Sequence, residues 1–295
     1  MQQSPAQLTP KELADAIGAS ESSVRRWVDA GDIHISRTAG GHRRILLADA
    51  IQFIRKIGAT VVRPDLLGLG ELSPANETLL GQPDEQKLFE SLQAGDRGMV
   101  KGLLVSWYLG GKTLPAIFDG PVRAAFERLG ELWKHDPRAI LIEHRATEIC
   151  IDATASVRGM LPAVDEDAPV AIGGSPHGDP YRLPTTMASI VLVEAGFREV
   201  NYGPNTPIEL LWNDAVDRNA RLVWLSLSSP QDPAPLRASV KKMAAILAGK
   251  KINLVLGGRH AAEVTPRGLR NVSLIGSMSE LSAFARGVVS AKQTN

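Results

Sequence analysis

Hydrophobic and polar positions change their period along the chain. Within residues 1–57, apolar side chains recur at helical spacing in short segments, and within 86–158 they do so in longer ones. From residue 168 onward, short apolar runs alternate with helical segments. Such alternation is typical of a parallel sheet with helices on both faces. The pattern predicts a small helical domain, then a four-helix bundle, then a Rossmann-like doubly wound parallel sheet, in a multidomain protein of α and α/β class.

Start and stop signals define the first two helices. Thr9 is placed to cap a helix that has Pro10 at its first position and Glu12 three residues after the cap, and Gly18 ends it. Ser20 is placed to cap a second helix. The residues of that helix expected in the core are Val24, Trp27 and Val28.

A basic hairpin is predicted directly after these helices. Residues 33–37 have the character of a strand, 38–41 (Thr-Ala-Gly-Gly) of a turn, and 42–45 of the returning strand. A third helix, over about 47–56, is expected to pack under the hairpin. Two helices followed by such a hairpin predict a winged helix-turn-helix, whose second helix has the form of a recognition helix.

The middle of the chain divides into a linker and a helical region. Residues 58–84 are rich in Pro and Gly and have no sustained period, which predicts a flexible interdomain linker. From Gln86 onward the spacing becomes helical. The predicted helices include Leu88–Leu92, Met99–Leu104, Val122–Trp133 and Ala139–Arg158.

Strands and helices alternate in the C-terminal part. The predicted strands are 168–174, 199–202, 222–226, 252–258 and 272–275. The predicted helices between and after them lie near 185–195, 208–217, 235–248 and 279–289. Ligands of such sheets bind beyond the carboxyl ends of the strands. The candidate site therefore consists of the loops after Gly174, Tyr202, Ser226 and Leu256.

The distribution of charged residues along the chain is more informative than the net charge. The 33 basic and 32 acidic residues nearly cancel, so the net charge indicates no partner. A local basic cluster lies within the predicted winged domain and indicates a polyanion as partner. Its members are Arg25, Arg26, Arg37, Arg43 and Arg44.

Several classes of protein are disfavoured by what the sequence lacks. One cysteine, Cys150, precludes an internal disulfide and argues against a thiolate metal site. No catalytic acid-base pair, nucleophile constellation or phosphate-binding loop emerges, so we expect no enzyme and no metal site. No apolar run approaches the roughly 20 residues of a membrane span, and the N-terminus lacks the features of a signal peptide. These absences predict a cytoplasmic protein with no membrane partner.

The N-terminal segments Ser22–Trp27 and Thr38–Arg44 resemble the MerR/excisionase class of winged helix domains. The resemblance implies binding to double-stranded DNA. Phosphates or a groove would be contacted by Arg37, His42, Arg43 and Arg44, and base edges by Ser22, Ser23, Arg25 and Arg26. The alternative is a solvated basic face on a small helical domain.

The helical region carries a second resemblance, in Trp133 and the pair Glu143-His144. These residues resemble a signature of CarH/LitR-type cobalamin-binding photoreceptor repressors. The resemblance implies that Trp133 covers the upper face of a corrin, that Glu143 bonds a nucleoside hydroxyl, and that His144 donates or accepts on the same face. The alternative is that Trp133 is a core aromatic and Glu143-His144 lie on a helix surface.

The C-terminal loops resemble the cobalamin-binding Rossmann-like domain through 203–207, Ser226-Leu227-Ser228 and Gly257-Gly258. The resemblance implies that Ser226, Ser228, Gly257 and Gly258 accommodate the buried nucleotide tail of a base-off cobalamin. For Gly257-Gly258 alone, a tight strand-to-helix turn is the alternative.

One loop departs from the family pattern. Tyr181 stands where the family has the His that serves as lower cobalt ligand, and Pro184 stands where it has Gly. A neutral phenol is a much poorer cobalt ligand than an imidazole. Lys134 likewise follows Trp133 where photoreceptor members carry a second His. These positions predict a nonstandard axial site and argue against ordinary photochemistry.

The sequence therefore predicts a DNA-binding transcriptional regulator whose cobalamin-type sensor module controls oligomerisation and operator binding. It would be a homo-oligomer with cobalamin as a possible cofactor. An alternative is a regulator of the same architecture that has lost cobalamin and senses another ligand or a protein partner. A corrinoid carrier or enzyme subunit is the third reading. The predicted domains are 1–57 (winged helix-turn-helix), 58–84 (linker), 85–165 (helical bundle) and 166–295 (Rossmann-like).

Overall fold

The computed structural model describes residues 7–37, 40–69, 83–134 and 136–290. The chain forms two compact units. The first contains 1–113 and 120–163, and the second contains 114–119 and 164–295. The four domain ranges given above stay predictions, and the two units are described one at a time.

The N-terminal part of the first unit is a winged helix-turn-helix, as predicted. Its elements are β1 (Gln7–Leu8), α1 (Pro10–Ile17), α2 (Glu21–Asp29), β2 (Ser36–Arg37), β3 (Arg43–Leu46) and α3 (Leu47–Ile57). The three strands form an antiparallel sheet in the order β1-β3-β2. Strand β1 was absent from the sequence prediction because a two-residue strand has no measurable period.

The predicted helix signals are present as side-chain contacts. The hydroxyl of Thr9 accepts a hydrogen bond from the Glu12 backbone N–H at 3.1 Å, and the Glu12 carboxylate accepts one from the Thr9 N–H at 2.7 Å. Gly18 ends α1 in the left-handed region, and Ser20 caps α2. Trp27 is half-buried, and its ring centroid lies 5.0 Å from that of Phe53.

The first wing strand is shorter than predicted. Only Ser36–Arg37 pairs with β3, whereas the prediction began at residue 33. Ile33 is buried, and the Asp32 N–H donates to the carbonyl of Trp27, so this stretch serves as the exit from α2. The predicted turn residues Thr38 and Ala39 lie outside the described residues.

Part of the predicted linker packs on the winged domain. The N–H groups of Val62 and Arg63 both donate to the carbonyl of Ala16, at 2.8 and 3.1 Å. A 3-10 turn at Pro64–Leu67 follows, with Leu67 buried. Residues 70–82 of the predicted linker lie outside the described residues.

The rest of the first unit is the predicted helical bundle. Its helices are α4 (Asp84–Ala94), α5 (Arg97–Leu109), α7 (Arg123–Leu132) and α8 (Ala139–Arg158). Cys150 is fully buried in α8, and burial raises the pKa of its thiol to about 12, so it is not a reactive thiolate. Within the described ranges, no helix has both the length and the apolar character needed to cross a bilayer.

Side chains of the winged domain contact the bundle within this first unit. The guanidinium of Arg55, on α3, lies 3.7 Å from the ring centroid of Tyr108 on α5. The same group donates to the carbonyl of Tyr108 and, at 3.1 Å, to that of Lys112. The amide of Gln52 donates to the Tyr108 hydroxyl at 3.1 Å. The helix that supports the wing is therefore bonded directly to the bundle.

The second unit is a doubly wound parallel sheet, as predicted. Its strands are β4 (Val170–Gly174), β5 (Arg198–Asn201), β6 (Leu222–Ser226), β7 (Asn253–Gly257) and β8 (Val272–Ile275). Its helices are α9 (Arg182–Glu194), α10 (Ile208–Asp217), α11 (Pro233–Gly249), α12 (Ala261–Val264) and α13 (Met278–Ser290). The strand order is β5-β4-β6-β7-β8, all parallel.

Alternation along the strands assigns residues to the two faces of this sheet. Ile172 and Val223 belong to a core cluster that also contains residues of α10 and α11. Gly173 and Trp224 alternate with them and face the side on which α9 packs.

A short excursion of the chain completes the second unit. Helix α6 (Leu114–Ile117) and the residues up to Asp119 leave the first unit between α5 and α7. The Asp119 carboxylate accepts hydrogen bonds from the N–H groups of Met278 and Ser279, each at 2.8 Å, and from the Ser279 hydroxyl at 2.7 Å. Asp119 thus supplies acceptors for the otherwise unpaired N–H groups at the start of α13.

The capping box of α1 makes a testable contribution to stability. Hydrogen bonds from Thr9 hold the pKa of the Glu12 carboxyl below its ordinary value. A depressed pKa stabilises the fold above the unfolded-state pKa, and this contribution is lost as pH falls through the folded-state value. We expect Glu12→Gln to lower the stability by about 1 kcal/mol or less at pH 7. The loss should shrink toward pH 3 in thermal unfolding followed by circular dichroism. A loss that is the same at both pH values would contradict this account.

Candidate functional site

The second helix of the winged domain presents a polar face. Ser22, Arg25 and Arg26 are exposed, and Ser23 is half-buried. Arg25 forms an ion pair with Glu21 at 2.7 Å, and the Arg26 guanidinium donates to the Ser23 hydroxyl at 3.3 Å. These contacts orient the two arginines along the helix surface without burying them, so they remain accessible to a partner.

The wing brings its basic residues into register. Arg37 lies directly opposite Arg43 in the ladder of β2 and β3, and Ser36 lies opposite Arg44. Like charges directly opposite each other are unfavourable in a sheet. Arg43 pairs with Asp29 at 3.0 Å, and His42 and Arg37 are exposed. An anion bound at the wing would offset the remaining repulsion.

The residues predicted for the upper face of a corrin lie in the first unit. Trp133 follows the last residue of α7 and is 38% exposed. Glu143 is half-buried and His144 exposed, in the second turn of α8. Most of the Trp133 side chain is covered and the rest is exposed, so its role as a corrin contact or as a core aromatic stays a prediction. Glu143 and His144 do lie at or near a helix surface.

The loops at the carboxyl edge of the sheet are joined by Asp179, which is fully buried. One carboxylate oxygen accepts hydrogen bonds from the N–H groups of Ser228 and Ser229, at 2.6 and 3.0 Å. The other accepts from the N–H of Tyr181 at 3.1 Å, and the Asp179 carbonyl accepts from the N–H of Asn205. One residue therefore connects the loops that follow β4, β5 and β6.

Tyr181 and Pro184 have clear structural positions in the loop after β4. Tyr181 is the residue before α9, has extended backbone angles and is 39% exposed. Pro184 is the third residue of α9, where the helix does not need its N–H as a donor. The departures from the family pattern thus fit an ordinary helix start.

Of the predicted serines and glycines, Gly258 is the one whose place is required by a contact between loops. Ser226 and Ser228 have their hydroxyls 3.4 Å apart. Gly258 has a φ of +102°, and a Cβ there would lie 2.5 Å from the carbonyl oxygen of Leu227. A Cβ on Gly257 would be 3.5 Å from the carbonyl of Ile275. What passes close to Gly258 is the backbone of the loop after β6, in agreement with the tight-turn interpretation.

Of the side chains that organise this edge, Asp179 corresponds to the acidic position of the family pattern two residues before Tyr181, whereas Thr185 and Trp224 were not among the predicted site residues. Trp224 is 2% exposed, and its indole N–H donates to the Thr185 hydroxyl at 3.3 Å. A signal was present, because a tryptophan within a buried run requires a small neighbour, and Gly173 precedes the first loop. Across the described residues, no group of three or more His, Cys, Asp or Glu side chains is arranged to hold a metal ion.

A comparison with family models identifies the N-terminal domain. Residues 8–57 match the model described as a helix-turn-helix domain. The match covers β1 through α3, which includes the recognition helix and the described part of the wing. This chain therefore has a helix-turn-helix DNA-binding domain. No curated protein matches the chain.

Solved structures resemble a large part of the chain. The monomethylamine corrinoid protein of Methanosarcina barkeri aligns with a TM-score of 0.50 and 16% identity, covering 68% of this chain and 96% of that one. A methanol:cobalamin methyltransferase complex of Methanosarcina barkeri aligns at 0.35 and 14% identity, covering 75% and 83%. A cobalamin-binding protein of Desulfitobacterium hafniense aligns at 0.33 and 15%, covering 72% and 98%. The first alignment establishes the shared fold.

Asp179 provides a direct test of how this edge is held together. Asp179→Asn keeps the shape of the side chain. It replaces a carboxylate oxygen, which accepts hydrogen bonds from backbone N–H groups in the natural protein, with an NH2 group that cannot accept them. We expect a loss of about 1–3 kcal/mol in the free energy of unfolding, measured by urea denaturation. Asp232→Asn is the matched control, because that exposed residue caps α11 and Asn caps as well as Asp. Equal effects of the two substitutions would remove the special role of Asp179.

Proposed function

We propose that this protein is a MerR-type transcriptional regulator that binds double-stranded DNA and has no enzymatic activity. In this proposal the helix-turn-helix domain contacts an operator, and the rest of the chain is a sensor module of corrinoid-protein fold. The state of the sensor would control homo-oligomerisation. Oligomerisation would in turn control operator binding, because linked DNA-binding domains bind with much higher avidity than single ones.

The observation that carries the proposal is the arrangement of arginines on the winged domain. Arg37 and Arg43 face the same side of the wing, and Arg25 and Arg26 are exposed on the recognition helix. Phosphate contacts supply most of the affinity for DNA, and a helix in the major groove supplies specificity. A wing and a recognition helix that both expose basic residues fit this division of roles.

The contact between α3 and α5 supports transmission of a signal. Arg55 and Gln52 of the winged domain bond to Tyr108 of the bundle. A change in the position of α5 would therefore act directly on the helix that supports the wing. This is a physical connection within one compact unit.

The fold favours a corrinoid as the molecule to which the sensor responds. The similar Methanosarcina barkeri protein is a corrinoid protein by its description. On the bundle, Trp133 is 38% exposed, so part of its aromatic side chain is accessible to a ligand. We therefore extend the sensor proposal to a corrinoid that contacts Trp133, Glu143 and His144.

The sheet edge does not fit the usual way of holding a cobalamin. Tyr181 offers a phenol in place of an imidazole, and its N–H is bonded to Asp179. Gly258 and Asp179 are engaged by neighbouring loops, and Trp224 fills space under α9. We therefore propose no lower axial ligand from this loop. Because this edge of the sheet does not fit a cobalamin held in the usual way, the alternative is that the sensor responds to another ligand or to a protein partner.

The DNA-binding role is tested by the salt dependence of affinity. Each phosphate contact that is lost should reduce the magnitude of the slope of log K against log[salt] by about 1. We expect Arg37→Ala and Arg43→Ala each to have this effect on duplex DNA, measured by fluorescence anisotropy. Arg123→Ala is the control, since that arginine pairs with Glu127 on α7. An unchanged slope in both wing variants would place the wing outside the interface.

The contact between winged domain and bundle is tested with Arg55→Ala. The change removes a cation–π contact and hydrogen bonds to two carbonyl groups. We expect a loss of about 1–2 kcal/mol in stability and faster amide hydrogen exchange in both α3 and α5. Arg63→Ala is the control, because its ion pair with Asp65 is exposed. Faster exchange in α3 alone would show that the contact does not couple the two parts.

A further inference from the structure

The crevice between β4 and β6 is where a sheet of this topology binds ligands. The chain runs from β4 to β5 on one side and then to β6 on the other, so the connections leave β4 and β6 in opposite directions. Such a switch point opens a crevice at the carboxyl ends of the two strands. In this protein, Gly173 of β4 and Trp224 of β6 are register partners at that point.

The indole of Trp224 lies on the face of the sheet that α9 covers, two residues before the carboxyl end of β6. A Cβ on Gly173 would lie 2.1 Å from the indole Cδ2 and 2.3 Å from Cε2, so the ring lies directly against the β4 backbone. Only glycine leaves room for that contact. The indole N–H extends to Thr185 on α9, at 3.3 Å, and the ring is 2% exposed. The side chain thus spans the space from the sheet to the helix above it.

Polar groups around the indole bond to one another. The Thr185 hydroxyl accepts from the indole N–H and donates to the Asn201 side-chain oxygen at 2.9 Å. The Asn201 amide donates to the Thr185 carbonyl at 3.2 Å, and its oxygen accepts from the Gly203 N–H at 2.9 Å. A ligand entering here would have to displace the indole and break these bonds.

We propose that Trp224 fills, from within the chain, the crevice that would receive the nucleotide tail of a base-off cobalamin. The inference rests on the proposed sensor function and narrows it. The sensor unit does not use the nucleotide tail for recognition. It therefore has no preference for cobalamin over a corrinoid that lacks the nucleotide, and replacing Tyr181 by His does not create one.

The test compares two probes, hydroxocobalamin and dicyanocobinamide, the second of which has no nucleotide. Equilibrium dialysis and visible absorbance would be measured on the full chain and on Tyr181→His, with Tyr202→His as a control that adds an imidazole after β5 instead. We expect all three proteins to bind the two probes with equal affinity, whereas a failure of all three to bind either probe would contradict the corrinoid-sensor proposal on which this inference rests. A preference of about tenfold or more for hydroxocobalamin, with the spectrum of a displaced base, in the natural chain or in Tyr181→His would overturn the proposal.

The converse experiment removes the Trp224 side chain so that the crevice is no longer filled. In Trp224→Gly combined with Tyr181→His, we expect a preference for hydroxocobalamin of at least about tenfold. A folded double variant, verified by circular dichroism, that gains no preference would also contradict the proposal. Should the double variant not fold, the natural chain and Tyr181→His decide the question, because neither alters the core.

DNA binding measured on the same preparations separates this inference from the proposed function. If the natural chain binds duplex DNA but prefers hydroxocobalamin, only the filled crevice is wrong. If it fails to bind DNA at any salt concentration, the regulator proposal fails, whatever the corrinoid result.

Discussion

The carboxylate of Asp179 is the group on which the carboxyl edge of the sheet depends. Backbone N–H groups of the loop after β6 have no strand partner, and the Asp179 oxygens are their acceptors. Because a buried charge is costly without such partners, the loop after β4 is held in the one conformation that supplies them. That conformation extends Tyr181 and starts α9 directly after it.

Trp224 and Gly173 are the second constraint on the same edge. The indole lies against a backbone without a Cβ, and its one polar atom bonds to Thr185. The indole is 2% exposed, so it belongs to the packed interior of the second unit. The fold is thus shared with a corrinoid protein, whereas the side chains at the switch point are this chain's own. A shared fold therefore does not imply a shared function, since a site depends on the particular residues that the fold carries.

In the first unit, the contact between Arg55 and Tyr108 has a comparable role. A long, Pro-rich and Gly-rich stretch lies between the winged domain and the bundle in sequence, which alone would suggest independent domains. The guanidinium of Arg55 instead bonds two carbonyl groups near the end of α5 and covers an aromatic ring. Planar, multiply bonded contacts of this type fix orientation as well as distance. The winged domain and the bundle are therefore joined by side chains as well as by the chain.

The sequence by itself determined the elements, because their signals are local. Thr9, Glu12 and Gly18 specify the first helix within a few residues, and the alternation of buried runs with helical segments specifies the parallel sheet. The basic wing and the recognition helix were likewise readable from short segments. Two-residue strands such as β1 were not, since so few residues have no period.

Only the tertiary structure decided what the site residues contact. Gly258 meets the backbone of Leu227, Asp119 caps a helix that begins at Met278, and Trp224 reaches Thr185. Each of these pairs is distant in sequence. Their contacts depend on the order of strands and on how closely loops approach one another, and neither quantity is encoded in local spacing. For this reason the residues that resemble a cobalamin site could be named from sequence, whereas the filling of the crevice beside them could not.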